Sequence, residues 1–253
     1  MLALDHRDSF KRMLGREVSS SEVVERKQEI IAALGAAPSG ILVDIEYGLE
    51  ALRKTGLPLP FLLAMEKSGY EEAGDSRRTQ VVHTGRELKE AGAAGAKLLL
   101  YMQGDERDAP QAETAKQALA DAERAALPFF LEVVVYGGND VARQTLAALA
   151  MLKAHGVRPA VWKLQAPGTP ESCRAITEAA EETPWILLSR GTEFERFAFE
   201  LQECIAAGAK GFLVGRSLWQ EALSLAEAER ARFLEETMPE RFRTLQSIVQ
   251  EVQ

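Results

Sequence analysis

Short runs of consecutive apolar residues recur along the chain, and longer charged, alanine-rich stretches separate them. A continuous apolar run of roughly four to eight residues, bounded by turn signals, is typical of a parallel strand buried on both faces. The chain contains eight such runs, at residues 1–5, 40–44, 61–66, 96–102, 129–136, 160–165, 185–189 and 211–215. We therefore predict a sheet of eight mainly parallel strands.

Most of the stretches between these runs space their apolar residues as an amphipathic helix does. The clearest helical segments are residues 20–34, 111–126, 141–156, 170–182 and 193–208. Strands that alternate with helices indicate repeated βαβ units, and eight such units predict an α/β fold of the (β/α)8 TIM-barrel type. The charged segment from Leu223 to Gln253 is expected to be the last helix with an extension. Because no low-complexity linker divides the chain, we predict one domain over residues 1–253.

The length and the composition agree with this fold. The chain has 253 residues and a formal net charge of −8, which disfavours a nucleic-acid or an anionic-membrane partner. It shows neither a signal peptide nor an apolar run long enough for a membrane span. Cys173 and Cys204 lie in predicted helices without metal-binding spacing, so we expect two reduced thiols in a cytoplasmic protein.

The carboxyl ends of the predicted strands are unusually polar. In TIM barrels the chemistry takes place at these ends. The polar or glycine positions there are Asp5, Asp44, Glu66, Lys97, Glu132, Lys163, Gln165, Ser189, Arg190, Gly191, Gly215 and Arg216. We expect several of them to surround one site.

Lys163 lies inside the apolar run PAVWKLQAP, where a lysine needs a special reason. Side chains alternate along a strand, so an inward Lys163 places Gln165 inside as well and turns Trp162 and Leu164 towards the helices. The same argument turns Lys97 and Glu132 inward. A neutral lysine amine attacks a ketone to form an imine, and a carboxylate then moves the protons. Desolvation and a second cation nearby lower a lysine pKa. The apolar strand supplies the desolvation for Lys163, and Lys97, two strands away, supplies the second cation.

The two last strands are followed by loops that contain glycine, serine and arginine, in LSRGT and VGRSLW. Barrel enzymes often bind phosphate with these two loops. We predict that Arg216 pairs with the phosphate, with Ser189, Arg190, Gly191 and Gly215 beside it. Asp5, Asp44 and Glu66 are candidates to hold sugar hydroxyls. Structural roles stay open for these residues too, such as an ion pair for Lys163 or helix caps for Asp5 and Asp44.

Eight segments together resemble the class I tagatose-bisphosphate aldolase family. They are LALDHRDSF, ILVDIEYGLEAL, LLAMEKSGY, KEAGAAGAKLLLYM, FFLEVVVY, VWKLQAP, PWILLSRGT and GFLVGRSLW, from Leu2 to Trp219. The broad family includes sulfofructose-phosphate aldolases, and DHRDSF and VWKL also resemble the aldolase-like domain of inositol catabolism.

The resemblance implies a (β/α)8 barrel and a Schiff-base aldolase that needs neither a metal nor another cofactor. It assigns the imine to Lys163 and matches Glu132, Lys97 and Asp5 to the family's catalytic residues. It matches Ser189, Gly191, Gly215 and Arg216 to the phosphate loops. The chain departs from the family at His6, where the family usually has Gln, and at Leu164–Gln165, where it typically has Val-Glu.

We therefore expect reversible cleavage of a ketose phosphate into dihydroxyacetone phosphate and an aldehyde. A monophosphate, a bisphosphate and a sulfonated sugar remain open as substrates, as do the aldehyde, the stereochemistry and a homo-oligomeric state. The alternatives are a non-catalytic sugar-phosphate sensor and an isomerase that uses Glu132 as a base without an imine. A metal-dependent aldolase is less well supported, since only His6 of the three histidines lies at a strand end.

Overall fold

Eight parallel strands form a nearly closed barrel. The computed structural model describes residues 1–15 and 17–251 of the chain. A bridge between Leu2 and Val214 joins the first strand to the last, which confirms the predicted TIM barrel. In barrel order the strands are β1 (Leu2–Leu4), β2 (Ile41–Val43), β3 (Phe61–Ala64), β6 (Gly95–Met102), β7 (Phe129–Val135), β8 (Val161–Leu164), β9 (Trp185–Leu188) and β10 (Phe212–Leu213).

Helices follow the strands and cover the barrel. They are α1 (Asp8–Met13), α2 (Ser20–Leu34), α3 (Gly48–Thr55), α4 (Gly85–Glu90), α5 (Ala109–Arg124), α6 (Val141–Ala154), α7 (Pro170–Ala180), α8 (Phe194–Ala206), α9 (Arg216–Trp219), α10 (Glu227–Arg232) and α11 (Met238–Gln250). Short 3-10 turns at Glu106–Asp108 and Gln220–Leu223 and a π-helical turn at Phe233–Thr237 complete the helical structure. No helix in the described ranges is both long and apolar enough to cross a membrane.

The antiparallel hairpin of β4 (Glu71–Ala73) and β5 (Ser76–Arg78) was not predicted from the sequence. Its strands are charged and lack an apolar alternation, so local pattern alone indicates a loop. The guanidinium of Arg77 lies 4.5 Å from the ring centre of Tyr70 and 4.4 Å from that of Tyr136. These contacts, of the type that stabilises a cation over an aromatic face, attach the hairpin to the rest of the fold.

Apolar side chains pack on both faces of the strands, in one layer outside the barrel and one layer inside it. Trp162 and Leu164 belong to the outer layer against the helices, as the strand alternation predicted. The inner layer is small and occupies the amino-terminal part of the barrel. It consists of Ala3, Leu42, Leu62 and Leu213, with Met1, Phe130 and Ile186 packed against them.

The inner residues change from apolar to polar along the strands. Phe130 belongs to the apolar inner layer, and Glu132, two residues later on the same face, lines a cavity. On β6 the residues Leu98, Leu100 and Met102 are fully buried in the outer layer. The alternate residues of that strand therefore project into the barrel.

Candidate active site

A cavity of about 330 Å³ opens at the carboxyl ends of the strands. Inward residues of β6 (Lys97, Leu99 and Tyr101), β7 (Glu132) and β8 (Lys163) form part of its wall. The segments that follow β1, β3, β9 and β10 complete it. The cavity thus brings together predicted residues from seven strands or strand ends. They are Asp5, Glu66, Lys97, Glu132, Lys163, Ser189, Arg190, Gly191, Gly215 and Arg216.

Lys97 lies at the centre of a buried group of carboxylates. Its Nζ is 2.9 Å from Asp5 Oδ2, 2.5 Å from Glu66 Oε1 and 2.9 Å from Glu132 Oε2. Burial opposes a charge on Lys97, but the three carboxylates outweigh it and raise its pKa well above the usual value. Lys97 is therefore a permanent cation that holds three acidic side chains in place.

Lys163 shares one of these carboxylates. Its Nζ lies 2.9 Å from Glu132 Oε2, the oxygen that also contacts Lys97. The two residues are direct partners in the pairing of β7 with β8, so the strand register itself fixes this contact. The amine is buried apart from the side that faces the cavity.

Glu132 and Asp5 are ionised in this setting. Burial alone would raise the pKa of Glu132, but the charges of Lys163 and Lys97 lower it below the usual value. Burial likewise opposes the charge of Asp5, and Lys97, His6 and Lys163 together lower its pKa far below the ordinary range. Both side chains are thus anionic at neutral pH.

The loops after β9 and β10 pack tightly against each other. The Ser189 hydroxyl accepts a hydrogen bond from the Gly215 amide at 3.3 Å, and the Arg216 guanidinium donates to the Arg190 carbonyl at 2.9 Å. Gly191 has a φ of +79°, and a Cβ there would lie 3.2 Å from Arg216 Nε. A glycine is therefore required where the first loop approaches the arginine of the second.

His6 and Arg7 close the cavity on the side of β1. The His6 ring packs edge-on against Trp219 at 5.2 Å, and its Nδ1 is buried without a hydrogen-bond partner. Burial lowers the pKa of His6 to about 4, so the ring is neutral at pH 7. Arg7 donates to the Glu66 carbonyl at 2.8 Å and lies 3.7 Å from Glu46.

The cavity carries more positive than negative side chains. Within the described ranges, seven lysine and arginine residues line it against four carboxylates, in a chain whose net charge is −8. A cationic cleft on an acidic protein concentrates small anions. No group of three His, Cys, Asp or Glu side chains in those same ranges is arranged to hold a metal ion.

A comparison with protein-family models identifies the family of this chain. The model described as "DeoC/LacD family aldolase" matches residues 1–221. The chain belongs to the DeoC/LacD family of aldolases. The aldolase resemblance seen in the sequence is thereby confirmed, and this chain is a carbon–carbon lyase by family.

Curated relatives of this DeoC/LacD aldolase have names that specify a sugar bisphosphate. Tagatose 1,6-diphosphate aldolase 1 of Enterococcus faecalis is 32% identical over 265 residues, which cover 88% of this chain and 80% of the relative. Tagatose 1,6-diphosphate aldolase 2 of Streptococcus pyogenes serotype M1 is 30% identical over 86% of this chain and 79% of the relative.

Solved aldolase structures share the fold at low identity. The fructose-bisphosphate aldolase of Plasmodium falciparum superposes with a TM-score of 0.78 at 15% identity, covering 98% of this chain and 89% of its own. A Schiff-base-forming fructose-1,6-bisphosphate aldolase superposes with a TM-score of 0.67 at 17% identity, covering 98% and 92%. These similarities agree with the barrel fold.

Two residues predicted for the site of this aldolase lie elsewhere. Asp44 pairs with the buried Lys27 and accepts hydrogen bonds from the amides of Tyr47 at 2.7 Å and Gly48 at 3.2 Å. The Gln165 side chain accepts from the Val135 amide. Neither residue lines the cavity. The expectation that they bind substrate is not retained.

Some residues that line the cavity were not predicted from the sequence. Tyr101 lies four positions after Lys97 on β6, so strand alternation alone places it on the same face. Arg7 and Lys67 follow the polar ends of β1 and β3 directly, and both line the cavity. The burial of Lys27, which lies outside the cavity, was also not predicted. Its position on the apolar stripe of α2, between Val24 and Ile30, indicates that burial.

Proposed function

We propose that this chain is a class I aldolase that reversibly cleaves a ketose phosphate into dihydroxyacetone phosphate and an aldehyde through an imine on Lys163. The observation that carries the proposal is the 2.9 Å contact between Lys163 Nζ and Glu132 Oε2 at the wall of the cavity. A buried amine with an ionised carboxylate in contact and open space beside it has what imine chemistry requires.

Glu132 supplies the proton transfers of the reaction. It accepts a proton from Lys163, and the free amine attacks the ketone carbon to form a carbinolamine. Glu132 then returns the proton as the carbinolamine oxygen leaves as water. The resulting iminium ion accepts the electron pair of the adjacent carbon–carbon bond when that bond breaks. Glu132, again a carboxylate, accepts the proton of the neighbouring hydroxyl as the aldehyde is released. It returns this proton to the enamine carbon, and water then hydrolyses the resulting iminium ion to dihydroxyacetone phosphate and the protonated amine of Lys163.

Lys97 has a positioning role in this scheme. Its contacts at 2.5 to 2.9 Å to Asp5, Glu66 and Glu132 engage the three donors of an ammonium group. Lys97 therefore holds Glu132 against Lys163 and fixes Asp5 and Glu66 beside the substrate. Asp5 and Glu66 in turn accept hydrogen bonds from sugar hydroxyls.

The phosphate binds at the loops after β9 and β10. Arg216 contributes a charged fork of donors, and Gly191 and Gly215 line the cavity beside it. The excess of cationic side chains around the cavity supports an anionic substrate. The names of the curated relatives favour a six-carbon ketose bisphosphate among the three substrate types considered.

Reductive trapping tests the proposal. The protein is incubated with dihydroxyacetone phosphate and a chelator, reduced with borohydride, digested and analysed by mass spectrometry. We expect a stable adduct on Lys163 in the wild type and in Lys67→Met, a control that removes another cavity lysine. The Lys163→Met variant should give no adduct at that position.

Other outcomes would reject the imine. A protein that interconverts sugar phosphates without an adduct would be an isomerase with Glu132 as its base. A protein that binds the phosphate ligand with no turnover and no adduct would be a sensor. Adduct formation abolished by the chelator would contradict the metal-independent mechanism.

A further inference from the structure

Two cysteines that are far apart in sequence meet in the helix layer. Cys173 lies near the start of α7 and Cys204 near the end of α8, and their sulfur atoms are 2.9 Å apart. Both are buried and both are free thiols. Neither residue lines the cavity, and the pair has no part in the proposed reaction.

The surrounding contacts hold the two helices at this distance. The Thr177 hydroxyl donates to the Cys173 carbonyl at 3.1 Å and to the Ala207 carbonyl at 2.7 Å, and it accepts from the indole nitrogen of Trp185 at 2.9 Å. Thr177 therefore connects α7 with the residue that follows α8. A disulfide bond is about 2.05 Å long, so the sulfurs need to approach by roughly 0.9 Å. Small rotations of the two side chains can supply that movement without separating the helices.

We propose that Cys173 and Cys204 are an oxidative modification site that forms a reversible intramolecular disulfide with hydrogen peroxide as the oxidant. Peroxide is small enough to reach a buried thiol through local opening. The disulfide would connect α7 to α8 and enclose β9 together with the loop Ser189–Gly191.

The chemistry balances with these two thiols and one peroxide. The Cys173 sulfur attacks a peroxide oxygen, which breaks the O–O bond and gives a sulfenic acid and water. The Cys204 sulfur then attacks the sulfenic sulfur, which forms the S–S bond and releases a second water. Two electrons and two protons pass from the thiols to the peroxide, and a dithiol such as dithiothreitol reverses the change.

The positions of the two sulfurs in their helices assign their roles. Cys173 lies near the start of α7, where the helix dipole favours a thiolate, and Cys204 lies near the end of α8, where the dipole disfavours one. The hydrogen bond between the sulfurs acts in the same direction, because it lowers the pKa of Cys173 and raises that of Cys204. The thiolate is the nucleophile in cysteine oxidation. Cys173 is thus the residue that peroxide oxidises, and Cys204 is the one that resolves the sulfenic acid.

The crosslink should stabilise the fold because it restricts the unfolded chain. The cysteines are 31 positions apart, and a disulfide that closes a loop of this size limits the conformations of the unfolded state. We expect the thermal midpoint to rise by roughly 5 to 10 °C on oxidation and to return to its original value after dithiothreitol.

The test treats the purified full chain with hydrogen peroxide and then maps its peptides without reduction. We expect one peptide pair joined through Cys173 and Cys204, an intact mass lower by two hydrogens, and the rise in thermal midpoint. Cys173→Ala and Cys204→Ala, each oxidised in parallel, should show neither the intramolecular crosslink nor the rise. Cys204→Ala should instead accumulate a sulfenic acid on Cys173 that dimedone labels.

Three results would overturn the proposal. Both thiols could remain unmodified, Cys173 could proceed to sulfinic acid in the wild type without a crosslink, or disulfides could form only between chains. Because the readouts are mass and thermal midpoint, they are independent of whether Lys163 forms an imine.

Discussion

Lys27 and Lys163 are each buried against a single carboxylate, yet of these two only Lys163 borders open space. Lys27 pairs with Asp44, donates to the Leu4 carbonyl at 2.9 Å and lies over the ring of Phe10 at 5.5 Å. Protein atoms therefore surround its ammonium group. Lys163 contacts Glu132 and faces the cavity. A buried lysine–carboxylate pair is thus not itself a sign of chemistry, and the space beside the nitrogen makes the difference.

The same substitution at both lysines tests this comparison most directly. Lys163→Met should reduce kcat by at least about 10⁴-fold, since no other amine replaces the nucleophile of the proposed mechanism. The fold should persist, because the methionine fills the volume beside the cavity. Steady-state cleavage assays and circular dichroism measure the two properties. Substantial turnover by a folded Lys163→Met would refute the covalent mechanism.

Lys27→Met should have the opposite profile. Removing this cation leaves Asp44 as a buried charge without its partner, and such losses cost about 3 to 5 kcal/mol of stability. The folded fraction should keep its kcat. Urea denaturation gives the free energy of unfolding, and adding Asp44→Asn to the variant should recover part of it by removing the charge. If the double variant is no more stable than Lys27→Met, the pair is not the cause of the loss.

The two carboxylates provide a matched pair of smaller changes. Glu132→Gln should lower kcat by about 10² to 10³-fold, because the amide has a similar shape but does not transfer protons. Asp44→Asn makes the same chemical change outside the cavity, and its effect should fall on stability instead of on kcat. Equal effects of both substitutions on kcat would remove the distinction between the two regions.

The pH dependence of stability sharpens the comparison on the cavity side. Burial lowers the pKa of His6 to about 4, whereas an exposed histidine titrates near 6.5. As the pH falls below 6.5, the unfolded chain takes up a proton that the folded chain does not take up until about pH 4. Stability should therefore fall in this window, with a His6 contribution of about 2 kcal/mol between pH 7 and pH 5.

Urea denaturation at pH 7, 6 and 5 measures this contribution. His6→Gln should show a shallower loss of stability than the wild type over that range. His83→Gln, which makes the same change outside the cavity, is the matched control variant. Identical slopes for His6→Gln and the wild type would mean that the protonation of His6 is not coupled to folding.

Much of the fold follows from local pattern. Eight apolar runs coincide with the eight barrel strands, and the bounds differ by a few residues at most, as for residues 61–66 against Phe61–Ala64. The hairpin at Glu71–Arg78 was not predicted because its position depends on the contacts of Arg77 with Tyr70 and Tyr136. Tyr136 lies next to the end of β7, far from the hairpin in sequence. Such a contact has no local signal.

Site residues could be predicted where strand alternation determines the direction of the side chain. They could not be predicted where a loop determines it. Lys97, Glu132 and Lys163 follow from the two-residue alternation of strands whose other face is apolar. Asp5, Asp44 and Glu66 all come at strand ends with similar sequence signals. Asp44, however, accepts hydrogen bonds from the backbone amides at the start of α3 and pairs with Lys27. No property of the residue itself distinguishes it from the other two.

Local pattern along the chain is sufficient to predict the strands, their burial and the inward direction of Lys97 and Lys163. These features arise from hydrophobic burial and backbone geometry, which act over a few residues. Which side chains pair with each other depends on the tertiary structure. Asp5 contacts Lys97 across 92 positions, and Lys27 and Asp44 form a second pair. The two cysteine sulfurs form a third. Charge pairing and sulfur chemistry depend on distances in space. The closed barrel sets those distances, and the local sequence of one segment does not indicate which other segment it will contact.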